Sequence, residues 1–127
     1  MKHIQTYCLL TLFLLLPLAA SAQVIVLIKY GPDRPQETHA VEWEKGLTAQ
    51  LALQHCAKVE TQALKKWIFV SGINGYYNEK DGKVWYYYVN NRRADKMAYQ
   101  YPVADKDTIL WTYTPNMCVG RSEKNAK

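Results

Sequence analysis

The amino-acid sequence predicts an α+β fold, in which a mixed sheet of about five strands packs on one helix. One segment near the middle of the chain, residues 48–59, carries apolar side chains at helical spacing. The segments before and after it are rich in β-branched and aromatic residues, as strands are. A single helix flanked by strands predicts that the helix covers one face of the sheet.

The first two strands precede the helix. Residues 24–30 are apolar apart from Lys29, which predicts a strand covered on both faces for most of its length. A segment with one glycine and two prolines, residues 31–35, interrupts it. Residues 38–44 then alternate with a period of two, which is typical of a half-buried strand. The two strands therefore form a predicted hairpin with an irregular turn.

Thr48 is the predicted N-cap of the helix, because a threonine hydroxyl can accept a hydrogen bond from a free N–H of the first turn. The residues that share one face of the predicted helix are Ala49, Ala52, Leu53, Cys56 and Val59. Leu51 falls on the opposite side, so we expect it to be exposed.

Further strands follow the helix. Their predicted positions are residues 67–73, 84–89 and 108–114, with a short edge strand at 97–101 that Pro102 ends. This order of elements is that of a β-grasp, or ubiquitin-like, fold, in which the last long strand lies parallel beside the first.

The N-terminal segment, residues 1–22, has the order of a secretory signal. A basic start precedes an apolar run at residues 8–16, and small residues follow it, which predicts cleavage before Gln23. The run is shorter than the roughly 20 apolar residues that a spanning helix needs. An uncleaved anchor is the alternative reading. We therefore expect a secreted or periplasmic protein with no stable membrane span after cleavage.

The rest of the chain divides into a predicted domain at residues 23–118 and a basic flexible tail at 119–127. The chain has 16 Lys and Arg against 11 Asp and Glu, a formal net charge of +5. The basic residues form short, separated clusters, whereas nucleic-acid binders concentrate them on one face. We therefore expect no nucleic-acid partner.

Export also decides how the cysteines are interpreted, because disulfides persist in oxidising compartments. Beyond the signal segment the chain has Cys56 and Cys118, which we expect to pair. A bridge that closes a loop of about 60 residues is worth roughly 4 kcal/mol in the chain-entropy model. A zinc site is not expected, because two cysteines with His39 and His55 at irregular spacing do not make a zinc motif.

Several short motifs occur in a fixed order along the chain. They are Thr48 Ala49 with Ala52 Leu53, then Ile73 Asn74 Gly75, then the aromatic segment 84–91, then Asp105 Lys106 Asp107. In this order they resemble the small ligand-facing β-grasp domain that ends the vitamin B12 carriers transcobalamin and intrinsic factor, a domain also found in uncharacterised bacterial proteins. The resemblance covers roughly residues 24–114. Asn91 and Lys106 depart from it, since both stand where that family usually has glycine.

The resemblance implies a site on two loops. In the B12 carriers this domain covers one face of a corrinoid, whose other face meets a large helical domain. By position, the ligand-facing residues would be Asn74, Gly75, Tyr76 and Tyr77 on one loop and Asn90, Asn91, Arg92 and Arg93 on the other. Tyrosine rings and arginine suit a large planar ligand with a polar rim. The implied ligand is cobalamin or a related corrinoid, with no cofactor required.

Catalysis has no motif in its support, because the chain has no nucleophile elbow, phosphate loop or metal motif. We therefore expect a non-catalytic ligand-binding domain. A protein–protein interaction module, which would dock on an envelope or secreted partner through a sheet edge or an aromatic patch, is the alternative. A third reading, half of a split carrier that needs a helical partner, combines the two.

Overall fold

The computed structural model of this chain describes residues 21–116. Most of the predicted signal segment, the whole predicted tail and Cys118 lie outside the described residues, and so does the predicted disulfide. The elements are β1 (Gln23–Lys29), β2 (Glu37–Glu42), α1 (Ala49–Gln54), β3 (Val59–Leu64), β4 (Trp67–Ile73), β5 (Tyr76–Tyr77), β6 (Lys83–Val89), β7 (Arg92–Arg93), a 3₁₀ helix (Ala98–Gln100) and β8 (Thr108–Pro115).

The strands form two sheets. A five-stranded sheet has the order β2-β1-β8-β6-β7, and a three-stranded sheet has the order β3-β4-β5. β1 and β8 pair in parallel, which confirms the predicted pairing of the first strand with the last, while the other pairs are antiparallel. The fold is therefore α+β, but the chain divides its strands between two sheets where the sequence predicted one.

The core lies where β1, β8 and the helix meet. Val24, Val26 and Ile28 of β1 are fully buried on one face, while the opposite face, with Ile25 and Leu27, is half-buried. The prediction of a strand covered on both faces is therefore correct only for the inner face. The helix contributes Ala49, Ala52 and Leu53, which are fully buried in the same cluster as Ile109 of β8.

The helix begins as predicted and ends earlier. Thr48 is the N-cap, and its hydroxyl accepts a hydrogen bond of 3.2 Å from the N–H of Leu51, whose side chain is 45% exposed. The helix stops at Gln54, and Val59 begins β3, so the prediction that Val59 belongs to the helix is wrong. Cys56 follows the helix, half-buried, and its thiol donates to the carbonyl of Ala52.

Two other segments differ from the prediction. β3 carries no pattern that indicates a strand. Its last four residues are all exposed, and the three of them that precede Leu64 are polar or small. The predicted edge strand at 97–101 is instead a 3₁₀ helix. The residues after it pair with the start of α1 instead of a sheet edge. The N–H of Ala49 donates to the carbonyl of Tyr101, the N–H of Val103 donates to the carbonyl of Leu47, and Thr48 and Pro102 form an isolated bridge.

Left-handed residues close the tight turns. Asn74 and Gly75 have φ of 51° and 86°, and Asn90 and Asn91 have φ of 51° and 67°, so both pairs form two-residue hairpin turns of the kind that needs positive φ at each position. Lys106, where the resembling family has glycine, also has a positive φ of 71°. The motif positions therefore mark backbone geometry, whichever residue occupies them.

Replacing Lys106 by glycine should raise the free energy of unfolding by about 0.5–1 kcal/mol, because glycine adopts the left-handed conformation without the cost that a Cβ adds there. Urea unfolding measures the change. Lys45→Gly is the matched control, since Lys45 is also an exposed lysine in a turn but has no positive φ. The Lys45→Gly variant should be less stable than the parent chain. If Lys106→Gly also loses stability, the left-handed backbone of Lys106 does not explain the effect.

Candidate functional site

The first predicted loop is fixed by the side chain of Asn74. Its Oδ1 accepts a hydrogen bond from the N–H of Lys58 at 2.9 Å, and its Nδ2 donates to the hydroxyl of Tyr30 at 2.6 Å. The Tyr30 hydroxyl in turn donates to Glu37, and burial, followed by this hydrogen bond, raises the pKa of Tyr30 to about 12. Both polar atoms of the Asn74 amide therefore stabilise the fold.

The second predicted loop is held in the same way by Asn90. Its Nδ2 donates to Asp107 at 2.8 Å, and its Oδ1 accepts from the N–H of Thr108 at 2.9 Å. Asp107 also accepts from the N–H of Ala104, and Asp105 accepts from the N–H of Gln23. The Asp-Lys-Asp motif thus joins the start of β1 to the start of β8 and to the Asn90 turn.

These two turns lie at opposite ends of the five-stranded sheet. Asn90 binds Thr108, which pairs with Ile25 on β1, whereas Asn74 binds Tyr30 just beyond the other end of β1. The five residue steps from Ile25 to Tyr30 span roughly 17 Å in an extended strand. The structure therefore does not bring the two predicted loops into one contact surface.

A cleft of about 200 Å³ lies between the two sheets, in the region that separates the two loops. Asn78, which follows the first loop, lines it together with Arg93 of the second loop. The remaining lining residues are Phe69 and Val70 of β4, Trp85, Tyr86 and Tyr87 of β6, Trp111 of β8, and Ala94, Lys96, Met97 and Ala98. Five of the twelve lining residues are therefore aromatic, and two are basic.

Ring stacking and hydrogen bonds hold the aromatic side chains of the wall. The rings of Tyr87 and Trp111 stack with centroids 4.9 Å apart, and the hydroxyl of Tyr87 donates to the carbonyl of Lys96, which ties β6 to the loop after β7. Burial raises the pKa of Tyr87, so this hydroxyl stays protonated at neutral pH. Trp85 donates from its Nε1 to the carbonyl of Tyr76 at 2.7 Å.

Trp111 has one unsatisfied polar atom. The residue is 2% exposed, and its buried Nε1 has no hydrogen-bond partner among the described residues. A buried N–H without an acceptor costs about 1–3 kcal/mol, so native structures nearly always pair such groups. Trp111 lines the cleft, but its Nε1 has less than 1 Å² of exposed surface, so a ligand in the cleft would reach this N–H only if neighbouring side chains moved.

The basic side chains of the cleft are not neutralised by ion pairs. Within residues 21–116 the ion pair is Arg34 with Glu37, so neither Arg93 nor Lys96 has a carboxylate within 4.0 Å there. The guanidinium of Arg93 instead lies 4.7 Å from the centre of the Tyr86 ring. This arrangement keeps a positive charge over an aromatic surface at the edge of the cleft.

Two wider clefts adjoin the first. One, of about 650 Å³, is lined by Val89, Asn90, Arg92, Arg93, Ala94, Asp95 and Tyr101. The other, of about 550 Å³, is lined by Trp67, Ala94, Asp95, Lys96, Met97 and Gln100. Ala94 lines all three, so the segment after β7 is a ridge from which the concave surfaces extend.

The predicted site residues thus fall into two groups. Asn90, Arg92 and Arg93 line these clefts, whereas Asn74, Gly75, Tyr76, Tyr77 and Asn91 line none of the three. The sequence prediction missed the side chains from β4, β8 and the segment 96–98. Phe69 and Trp111 were assigned to the sheet alone, and residues 97–98 to an edge strand, so the pattern gave no signal that they share one cavity.

An α+β domain with an aromatic cleft between two sheets is the class of protein that this geometry defines. Residues 46–115 match the family described as a domain of unknown function, DUF4430, and the chain belongs to that family. No curated protein matches the chain.

Two solved structures are similar to it in fold. A candidate metal-binding protein from Ruminococcus gnavus aligns with a TM-score of 0.59 at 14% identity, over 75% of this chain and 98% of the other. Haptocorrin in complex with Cbi, a cobinamide, aligns with a TM-score of 0.56 at 12% identity, over 78% of this chain and 27% of haptocorrin. The predicted resemblance to the transcobalamin family is confirmed, and at these identities it establishes the fold alone.

Between residues 21 and 116, no group of three or more His, Cys, Asp and Glu side chains lies close enough to hold a metal ion together. Within the same residues, no helix has the length and apolar character required to cross a bilayer.

Proposed function

We propose that this chain is an exported, non-catalytic domain of the β-grasp type that binds a large planar ligand at the cleft beside Ala94. A corrinoid, such as cobalamin or cobinamide, is the sharpest candidate. The observation that carries the proposal is the cleft itself, with aromatic residues such as Trp111 in its wall and Arg93 at its edge. Haptocorrin, which is similar in fold, was solved with Cbi bound.

The chemistry of the cleft suits such a ligand. Flat aromatic surfaces contact a macrocycle, while the amide oxygens and phosphate at the rim of a corrinoid are acceptors for arginine and for an indole N–H. Arg93 and Lys96 supply two positively charged donors, and Trp111 adds aromatic surface beside them. Each of the three has no ion pair or acceptor side chain competing for it within residues 21–116.

The dimensions decide how a corrinoid would lie. About 200 Å³ is below the 300–1,000 Å³ of typical ligand pockets and too small for a whole macrocycle. The adjoining clefts of about 650 and 550 Å³ enlarge the concave surface on either side of Ala94. We therefore expect the ring to lie across the ridge, with one edge or side chain in the cleft and the opposite face open.

An open opposite face connects this proposal with the split-carrier reading. This chain aligns with 27% of haptocorrin, so a second element would be free to cover the exposed side of the ligand.

The non-catalytic part of the proposal is supported by Cys56, since burial raises the pKa of its thiol to about 11 and leaves little thiolate at neutral pH.

Calorimetric titration of residues 21–127, which retain every described residue, with cobinamide and cyanocobalamin tests the proposal. We expect saturable binding that Arg93→Ala weakens about tenfold or more, because hydrogen bonds to charged groups contribute about 1.5–3 kcal/mol. Lys80→Ala, which removes the same charge from an exposed turn, should leave affinity unchanged.

Tyr77→Ala separates the two predicted loops. If the ligand lies only at the cleft, this variant binds like the parent chain; weaker binding would show that the Asn74 turn also contacts the ligand. Absence of binding at millimolar ligand would overturn the stand-alone corrinoid binder, and binding that Arg93→Ala leaves unchanged would overturn the placement of the site.

A further inference from the structure

The hairpin of β3 and β4 ends in an exposed apolar tip, formed by residues 64–68. Leu64 is 63% exposed, Trp67 43% and Ile68 39%, and all three lie outside the buried core cluster. Leu64 and Trp67 are paired residues on either side of the two-residue turn, so their side chains leave the sheet side by side. Ile68, the next residue of β4, lies on the opposite face, so the tip exposes apolar side chains on both faces of the hairpin.

The turn residues between them are both lysines. Lys65 has a φ of 57°, at the first central position of the turn, where glycine is strongly preferred in two-residue hairpins. Backbone strain of this kind persists where another requirement outweighs it. Lys65 is therefore a costly residue for this turn, but it places a second positive charge beside Lys66 at the end of the tip.

The charge around the tip is positive. The Nζ atom of Lys66 lies 5.0 Å from the centre of the Trp67 ring, and no acidic residue occurs in the sequence from 61 to 78. Neither lysine of the tip forms an ion pair within residues 21–116. Lys96 lies beside Trp67 in the adjoining cleft, where its charge offsets that of Asp95.

We propose that the tip docks on an anionic membrane surface, with Leu64, Trp67 and Ile68 in the interfacial layer and Lys65 and Lys66 on the lipid phosphates. Tryptophan concentrates at the membrane–water interface, and lysines near an anionic leaflet each add about 1 kcal/mol of attraction. A narrow convex tip with charges at its end matches a bilayer, which deforms around it. This inference does not rest on the ligand proposal, although Trp67 also lines the adjoining cleft of about 550 Å³.

Sedimentation of residues 21–127 with lipid vesicles tests the proposal. We expect binding to vesicles of 70% phosphatidylcholine and 30% phosphatidylglycerol and much weaker binding to phosphatidylcholine alone. Lys65→Gln and Lys66→Gln should each lower the partition coefficient about fivefold. Leu64→Ser and Trp67→Ser should lower it further, and added salt should weaken binding because it screens the charges.

Matched controls remove similar groups elsewhere. Leu51→Ser and Lys45→Gln change an exposed leucine and an exposed lysine away from the tip, so both should bind vesicles like the parent chain. Of the 4 tryptophans, Trp67 is the exposed one, since Trp85 and Trp111 are buried and Trp43 is half-buried with its N–H bonded to Val103. Quenching by brominated lipid should therefore disappear in Trp67→Phe.

The proposal is overturned by any of three results. The chain could remain in the supernatant with anionic vesicles, which would leave a protein partner as the occupant of the tip. Binding could persist unchanged in the tip variants, which would place the contact in the basic tail. Sedimentation velocity could reveal a dimer that Leu64→Ser dissociates, which would make a second copy the occupant. Circular dichroism melting checks that each variant is folded.

Discussion

Trp111→Ala should lower the free energy of unfolding by about 3–5 kcal/mol, the range observed when a large buried aromatic side chain is truncated. Trp111 is 2% exposed, lies on the central strand β8 and stacks on Tyr87. Its removal would open a cavity between the two sheets that neighbouring side chains cannot fill. Denaturant unfolding followed by tyrosine fluorescence and circular dichroism would measure the loss.

Trp67→Ala is the matched control for that substitution. The same side chain is 43% exposed there, so its truncation should change stability by less than about 1 kcal/mol. Trp111→Phe adds a second comparison, because it keeps a ring against Tyr87 while it removes the unpartnered N–H. A loss below about 1 kcal/mol in Trp111→Ala, as in the control, would show that Trp111 is not part of the cooperative core.

Ala94→Trp should weaken binding of cobinamide about tenfold to hundredfold, because overpacking typically costs about 1–3 kcal/mol and each 1.4 kcal/mol is a factor of ten. Ala94 is the residue that lines all three clefts, so a large side chain there would occupy the surface on which the ring is proposed to lie. Its backbone N–H donates to the carbonyl of Tyr87, a bond that any residue except proline retains.

Ala40→Trp provides the control for size. Ala40 is exposed on β2, at the edge of the five-stranded sheet far from the clefts, so the variant should fold and bind like the parent chain. Calorimetric titration of the two variants under identical conditions gives the comparison. Unchanged affinity in Ala94→Trp would exclude the ridge as the ligand surface even if the parent chain binds.

The elements with a clear period were predictable from the sequence. Alternation located β2, and the threonine before an apolar face located the start of α1 at Thr48. β3 was missed because its exposed hairpin has no buried face, and period-two alternation arises only where one face is covered. The segment 97–101 was mistaken for a strand because its backbone partners, at the start of α1, are distant in sequence.

The candidate site was harder to predict, for a physical reason. Asn74 and Asn90 belong to motifs, but their amides are occupied by hydrogen bonds within the fold. An asparagine in such a motif indicates a turn that needs this residue. Because the turn needs it with or without a ligand, the motif does not distinguish a binding loop from a purely structural one. The cleft, by contrast, is assembled from side chains such as Phe69 and Trp111, which only the packing of two sheets brings together.

The hydrogen bonds that join the two sheets have a mechanical consequence. The Oδ1 of Asn78 accepts a hydrogen bond from the backbone N–H of Trp85, and its Nδ2 donates to the carbonyl of Val70. The indole N–H of Trp85 donates to the carbonyl of Tyr76, and the hydroxyl of Tyr113 donates to the carbonyl of Tyr77. All of these bonds lie near the start of β6. We therefore expect the two sheets to hinge about the residues near Asn78. The cleft would then widen at its opposite end, near Arg93, while these four hydrogen bonds stay intact.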